Sequence, residues 1–247
     1  MITSNNNAKV KQVVQWQTKA KERRKDHVFL AEGIRMCEEA PVKNVREVYL
    51  TEELEQKIRQ NARTETTAFW DKLQQTGYET VSTEVFAKMA DTQTPQGILT
   101  VLEQPVYDLT QLLEQPDPLF LMLENLQDPG NLGTMIRTGE GAGITGVIMN
   151  NQTVDIFNPK TIRATMGSIF RVPFVYVPDL ALVLEQMHAK GIYTYAAHLK
   201  GQEYYDSFSF REPTAFLIGN EGNGLSKEIS DQAGQYLKIP MEAGWNP

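Results

Sequence analysis

Short apolar runs alternate with stretches of helical spacing along most of the chain. The first hundred residues predict a helix over 8–19 with Val10, Val13 and Val14 turned inward, then a charged loop over 21–26. Strands follow at 28–30, 45–50, 78–81 and 98–102, with helices from Gly33 to before Pro41 and over 52–59, 67–75 and 82–89. Pro105, Pro116 and Pro118 mark a change of composition, so 105–118 reads as a linker between a domain at 1–104 and another at 119–247. The second part alternates more strictly: strands at 119–123, 146–149, 173–177, 192–197, 214–219 and 236–239, with helices over 132–140, 160–166, 179–190 and 225–232. Strands separated by helices predict a parallel sheet covered on both faces, hence an α/β fold. Ligands collect beyond the carboxyl ends of such strands, where the loops 124–131 and 219–226 lie.

In the first of these loops Asp128-Pro129-Gly130 is turn chemistry, and Asn131 stands where a helix N-cap belongs. Leu132, Met135 and Ile136 then share one face, with Arg137 on the other side, about 9 Å along the axis from Asn131. Gly133, one turn before Arg137, leaves bare backbone beside the guanidinium. A packing helix has no need of that arrangement. Gly141-Ala142-Gly143-Ile144-Thr145-Gly146 fits the dinucleotide pattern G-x-G-x-x-G, but it closes a helix and precedes a strand. That order is the reverse of what phosphate binding requires, so these glycines read as a left-handed helix stop and a tight return. In the second loop Gly219, Gly222 and Gly224 permit close backbone approach, and no Lys-Ser/Thr pair follows to make a P-loop. There Glu221, among backbone N–H donors, reads either as an orienting group or as an ordinary surface glutamate.

Composition narrows the class. The 247 residues are 41% hydrophobic, enough for real cores, and contain no secretory h-region or apolar membrane span. One cysteine, Cys37, and three histidines show no metal-ligand spacing, which predicts a cytoplasmic protein without internal disulfide or metal. The net charge of −7 argues against indiscriminate coating of nucleic acid. Its distribution argues for local contact, because residues 1–35 carry a surplus of +5 and leave −12 on the remainder. Arg23, Arg24 and Lys25 are the candidates for meeting phosphate there; a solvated basic helix is the plain alternative.

Taken together these motifs resemble the SpoU (TrmH-like) family of SPOUT methyltransferases. Asn125-Leu126-Gln127-Asp128-Pro129-Gly130-Asn131-Leu132-Gly133 through Arg137 resembles its first motif. Gly219-Asn220-Glu221-Gly222-Asn223-Gly224-Leu225 resembles the second, and Ile239-Pro240-Met241 the opening of the third. Arg163-Ala164-Thr165-Met166-Gly167-Ser168-Ile169-Phe170 is similar to an intervening segment, with Thr165 where serine is usual. Phe29-Leu30-Ala31-Glu32-Gly33 resembles the start of the family's N-terminal RNA-binding domain, which has an L30e-like ribosomal-protein fold.

The resemblance implies methyl transfer from S-adenosylmethionine to a ribose 2′-hydroxyl of structured RNA, ribosomal before transfer RNA, by a homodimer with a trefoil knot. It puts Asn131, Arg137 and Glu221 in the catalytic set and Arg163 on RNA. Leu217, Ile218, Gly219, Gly224, Ile239 and Met241 fall on the cofactor. A free guanidinium, with a pKa of about 12.5 or more, is a poor base, so Arg137 is expected to clamp phosphate and stabilise charge. One departure stands out: the family continues past Ile-Pro-Met into Ser-Leu-Asn and a long helix, whereas this chain stops at Pro247. The expectation is therefore an incomplete knot and pocket, with a non-catalytic RNA-binding or ribosome-associated relative as the alternative.

Overall fold

The computed structural model describes residues 1–61 and 68–240. The chain divides into two compact units, Met1–Pro105 with Asp155–Phe170, and Val106–Val154 with Arg171–Pro247. The stretch Asp155–Phe170, which the strand pattern assigns to the second domain, thus packs with the first. Met241, expected on the cofactor, and the rest of the third motif after it lie outside the described residues, and with them the expectation of an incomplete knot.

The first unit is built on four strands, β1 (Val28–Glu32), β2 (Val45–Thr51), β3 (Glu79–Val81) and β4 (Ile98–Glu103), in the order β1-β4-β2-β3. β4 runs antiparallel to both β1 and β2, while β2 and β3 are parallel. Its residues Ile98 to Leu102 are all buried, as expected of a strand paired on both edges and covered on both faces. Val10, Val13 and Trp16 of the helix Ala8–Thr18 cover one face with Val85, Phe86 and Met89 of the helix Thr83–Met89. Cys37, Leu54 and Leu73 cover the other. Phe157 and Phe170 bring the inserted stretch onto β1, their ring centroids 5.0 and 6.2 Å from that of Phe29.

The charged run 21–26 is not a loop. Ala20–Asp26 is a helix, closed by His27 in the left-handed conformation at φ 54°. Lys, Arg and Glu are good helix formers, and charge alone does not distinguish a loop from a short polar helix.

The second unit is a six-stranded sheet of β5 (Leu119–Leu123), β6 (Gly146–Asn150), β7 (Phe174–Val177), β8 (Tyr193–Ala197), β9 (Thr214–Ile218) and β10 (Gln235–Leu237). The order is β10-β8-β9-β5-β6-β7 and every pairing is parallel. All six carboxyl ends therefore share one edge. Leu180, Val183, Leu184 and Met187 of the helix Leu180–Ala189 and Ile229 of the helix Lys227–Gln232 fill the core against the sheet. The proline-rich stretch contributes too: Asp108 caps the helix Leu109–Leu113, whose Leu112 and Leu113 are buried in this core. A composition shift marks the approach to the boundary but not its end, because two leucines make the short helix part of the fold.

Candidate active site

β5 and β9 lie side by side, with Leu123 opposite Ile218 and the Glu124 N–H donating to the Ile218 carbonyl at 2.9 Å. The two loops singled out from the sequence therefore leave the sheet together. Three side chains lock their bases. Glu124, only 7% exposed, accepts the Ser226 N–H at 2.7 Å across the two loops. Asn125, left-handed at φ 57°, donates its backbone N–H to Asn150 Oδ1 at 3.0 Å and accepts Asn150 Nδ2 at 2.8 Å. Asn220 donates its amide to the Asn125 carbonyl at 2.9 Å, and its Oδ1 accepts the N–H groups of Gly222 and Asn223, each at 3.0 Å. None of these supporting roles is readable from one sequence; the signal is a buried glutamate and asparagine at strand ends, which appears only once strands pair.

The N-cap is Asp128, not Asn131. Its carboxylate accepts the Asn131 N–H at 2.8 Å, and Pro129 begins a helix that runs to Ala142. Proline is favoured in the first helical turn, where its missing N–H would have no partner, so the residue before it takes the cap. Asn131 is thereby set within the first helical turn with its side chain at the surface. Gly143, left-handed at φ 74°, closes the helix as the glycine pattern predicts. Leu132, Gly133, Ile136 and Gly139 are the buried stripe, so Gly133 packs inward instead of baring backbone beside Arg137. Asn131, Thr134, Arg137 and Thr138 form the exposed polar face. Among the described residues Arg137 has no hydrogen-bond or ion-pair partner.

Glu221 joins the loops at the point of interest. Its carboxylate accepts the N–H of Gln127 at 3.0 Å, the N–H of Asp128 at 2.9 Å and the side-chain amide of Asn131 at 3.2 Å. Partial burial pushes this carboxyl up, but the donated hydrogen bonds of Asp128, Gln127 and Asn131 outweigh it, so its pKa falls below the ordinary glutamate value. Glu221 is an ionised clasp. With Asn131 Nδ2 directed at Glu221, its Oδ1 remains an acceptor for a hydroxyl.

Of the residues expected on the cofactor, Leu217 is buried in β9, Ile218 and Gly219 follow half-buried, and Gly224 is left-handed at φ 68°. Asn220 and Gly224 exchange backbone hydrogen bonds at 3.0 and 2.8 Å, folding the loop so tightly that a Cβ on Gly219 would meet the Gly224 carbonyl carbon at 2.1 Å. Ile239, just after β10, is 53% exposed, and Leu199, just after β8, is 76% exposed. The loop carrying Leu199 is pinned to β10 by His198 N–H to the Leu237 carbonyl at 3.1 Å. Leu199 has no sequence motif of its own.

The basic candidates separate. Arg24 and Lys25 are exposed, whereas Arg23 is 3% exposed and donates to Asp155 Oδ2 at 2.6 Å and to the Trp16 carbonyl at 2.7 Å. Arg23 holds the inserted stretch in place and is not available to phosphate. Arg163 is half-buried and paired with Asp91 at 2.5 Å.

Residues 118–246 match the model of the SpoU rRNA Methylase family, and residues 7–100 match the MRM3-like substrate binding domain. The chain belongs to the SpoU rRNA methylase family. It is 32% identical over 243 residues to the 23S rRNA (guanosine(2553)-2′-O)-methyltransferase RlmP of Bacillus subtilis, covering 97% of this chain and 90% of that one. A 23S rRNA (uridine(2479)-2′-O)-methyltransferase of Streptomyces viridochromogenes is 30% identical across 66% of this chain and 61% of its own length. In structure, the AdoMet-bound rRNA methyltransferase of Sinorhizobium meliloti superposes with a TM-score of 0.84 at 28% identity, over 100% of this chain and 90% of that chain. These matches agree with the family that the motifs resemble and with its SPOUT fold. No helix among the described residues is long and apolar enough to cross a membrane.

Proposed function

We propose that this protein transfers a methyl group from S-adenosylmethionine to the 2′-hydroxyl of a ribose in ribosomal RNA. The relatives named as 23S rRNA 2′-O-methyltransferases and the AdoMet-bound neighbour support the reaction and its cofactor. The observation that carries the reading is the Glu221 clasp, which orients Asn131 on the same helix face as a guanidinium with no partner among the described residues.

The residues present fit the cofactor. Leu199 and Ile239 offer exposed apolar surface beyond adjacent strand ends, and the bare backbone of Gly219 and Gly224 stands between them and Glu221 in chain order. Ile218, Gly219, Gly224 and Ile239 would hold the group, which would supply an electrophilic methyl on a sulfonium, while Leu217, wholly buried in the core, backs them. The protein's work is placement: the attacking oxygen must line up with the carbon–sulfur bond, and such orientation accounts for much of the acceleration. Asn131 Oδ1 would accept a hydrogen bond from the ribose hydroxyl and fix its oxygen; as the oxygen–carbon bond forms, the carbon–sulfur bond breaks to leave a neutral thioether, and the hydroxyl proton passes to water. Arg137 grips the adjacent phosphate and favours the charge that develops on that oxygen. Arg24 and Lys25 meet backbone phosphate elsewhere on the RNA.

We infer a cytoplasmic homodimer. Leu119, Leu121, Met135, Ile144, Phe216 and Ile218 line an apolar hollow of about 310 Å³ on the second unit, and a parallel sheet is stable with both faces covered. A second copy is its proposed occupant, tested by sedimentation of wild type against Leu121→Glu.

The deciding experiment incubates purified protein with isotopically labelled S-adenosylmethionine and ribosomal RNA from cells lacking the gene, then maps 2′-O-methyls. One protected ribose, lost with Arg137→Ala, supports the reading. Salt-sensitive RNA binding with no transfer to ribosomal or transfer RNA overturns it in favour of the non-catalytic relative.

A further inference from the structure

A second hollow lies wholly within the first compact unit, far along the chain from the clasp. Its volume is about 310 Å³, at the low end of the ~300–1,000 Å³ typical of small-molecule sites. Glu32, Gly33, Arg35 and Met36 line one side, Thr92, Thr94 and Gln96 another, and Arg163 and Met166 the third. Its walls are built. Gly33, at φ 98°, turns the chain out of β1, and the following Ile34 N–H donates to Gln96 Oε1 at 2.8 Å. Glu32 is 8% exposed and accepts the Asp91 N–H at 2.8 Å and the Thr92 hydroxyl. Arg163 reaches back to Asp91 at 2.5 Å.

The third wall is unusual. Met166 ends the helix Pro159–Thr165 in the left-handed region at φ 51°, where a long side chain is strained, and it leaves that side chain 37% exposed. Gly167 beside it takes φ 97°, with the Glu39 carboxylate lying against it. A strained cap holding an apolar side chain at the mouth of a hollow suits a flat apolar ligand.

Charge decides what kind. Arg35 pairs with Glu39 at 3.0 Å and Arg163 with Asp91 at 2.5 Å, and the buried Glu32 adds a third carboxylate, so the hollow holds no surplus of positive charge. A polyphosphate is poorly served there. An uncharged aromatic base with one phosphate at the rim is well served, because methionines pack its faces, Thr94 and Gln96 offer polar edges, and each guanidinium retains free donors. We propose that this hollow takes one unstacked nucleotide of the RNA substrate, its base between Met36 and Met166 and its phosphate against Arg163 and Arg35. The proposal rests on RNA being the substrate, but places an interaction distinct from the methylated ribose.

The nine methionines make the test direct. Protein labelled with ¹³C at the methionine methyls is titrated with each of the four ribonucleoside 5′-monophosphates and with inorganic phosphate. At least one nucleotide should move the Met36 and Met166 methyls saturably while Met122, Met149 and Met187 stay fixed. Thr94→Trp, at an exposed position that fills the hollow, should abolish the shift, and Arg163→Gln should weaken binding about tenfold by removing a charge-assisted hydrogen bond. In RNA methylation Thr94→Trp should raise KM several-fold at unchanged kcat, because a remote interaction made equally in the ground and transition states serves binding alone. Four nucleotides that leave both methyls in place, a shift that survives Thr94→Trp, or one that phosphate alone reproduces would overturn the proposal. Failure of the wild type to methylate any RNA would sink the proposed function instead, while the titration still reads the hollow.

Discussion

The side-chain amide of Asn131 donates to the carboxylate of Glu221 at 3.2 Å, joining residues ninety positions apart in the chain. Two backbone N–H groups of the same loop share that carboxylate, so Glu221 holds the entire entry to the helix Pro129–Ala142. In the proposed reaction Glu221 positions Asn131 and does not itself meet the hydroxyl. Replacing it with glutamine swaps a pure acceptor for a group with one oxygen and strands at least one N–H. Methyl transfer by Glu221→Gln should fall about 10- to 100-fold in kcat, the scale of a small misplacement at a reacting centre. S-adenosylmethionine affinity should change much less. Steady-state kinetics beside calorimetric titration of the cofactor separate the two.

The same clasp sets a pH dependence. The Glu221 carboxyl sits below its ordinary value of 4.5, so the folded protein binds its proton less readily than the unfolded chain. Its contribution to stability is complete above pH 4.5 and is lost as pH falls from there through the folded value. Urea melts of wild type and Glu221→Gln should differ by a constant amount between about pH 7 and pH 5.5, and converge as pH falls below 4.5. A gap that widens on acidification would contradict the assigned direction.

Gly219 and Gly222 sit in one loop and should respond oppositely to the same change. A Cβ at Gly219 would stand 2.1 Å from backbone atoms of Gly224 and Leu225, which cannot step aside like a side chain. Among the described residues beyond its chain neighbours, a Cβ at Gly222 would meet only Asn220 Oδ1, at 3.7 Å, an ordinary van der Waals distance. Gly219→Ala should cost about 1–3 kcal/mol, the range for overpacking, and most of the cofactor affinity. Gly222→Ala should be within about 0.5 kcal/mol of wild type, as for other surface changes. Thermal melts and cofactor titration of both variants provide the comparison.

The motifs were more legible than their supports. A proline and two glycines announce a turn, and an apolar stripe announces a helix, because both signals are local; the strand–helix alternation and the Gly143 stop follow from them. Asn131 lost the cap to Asp128 through another local rule, the preference of proline for the first helical turn, which the sequence carries in plain view. Glu124, Asn150 and Asn220 were not legible, since their partners lie about 25 to 100 residues away and become neighbours only when parallel strands pair. Nor was the packing of Asp155–Phe170 with the first unit, which depends on Phe29 finding Phe157 and Phe170 across more than a hundred residues.

Arg23, Arg24 and Lys25 are adjacent in sequence and alike in charge, yet their substitutions should diverge. Arg23 and Asp155 have side chains only 3% and 16% exposed, and the guanidinium also serves two main-chain carbonyls, of Trp16 and Gln17. Removing it leaves Asp155 charged in a place with little water, and breaking such a pair from one side costs about 3–5 kcal/mol. Arg23→Ala should therefore lower the denaturation midpoint strongly. Arg23→Ala/Asp155→Ala should recover part of the loss, because the stranded charge is gone. Arg24→Ala and Lys25→Ala, both at exposed positions, should leave stability within about 0.5 kcal/mol and instead weaken RNA binding more at low salt than at high. Denaturation and salt-dependent filter binding on the four variants read both effects. Equal loss of stability at all three basic positions would mean that burial does not distinguish them, and the charge surplus of the N-terminal segment would again be the simplest account of Arg23.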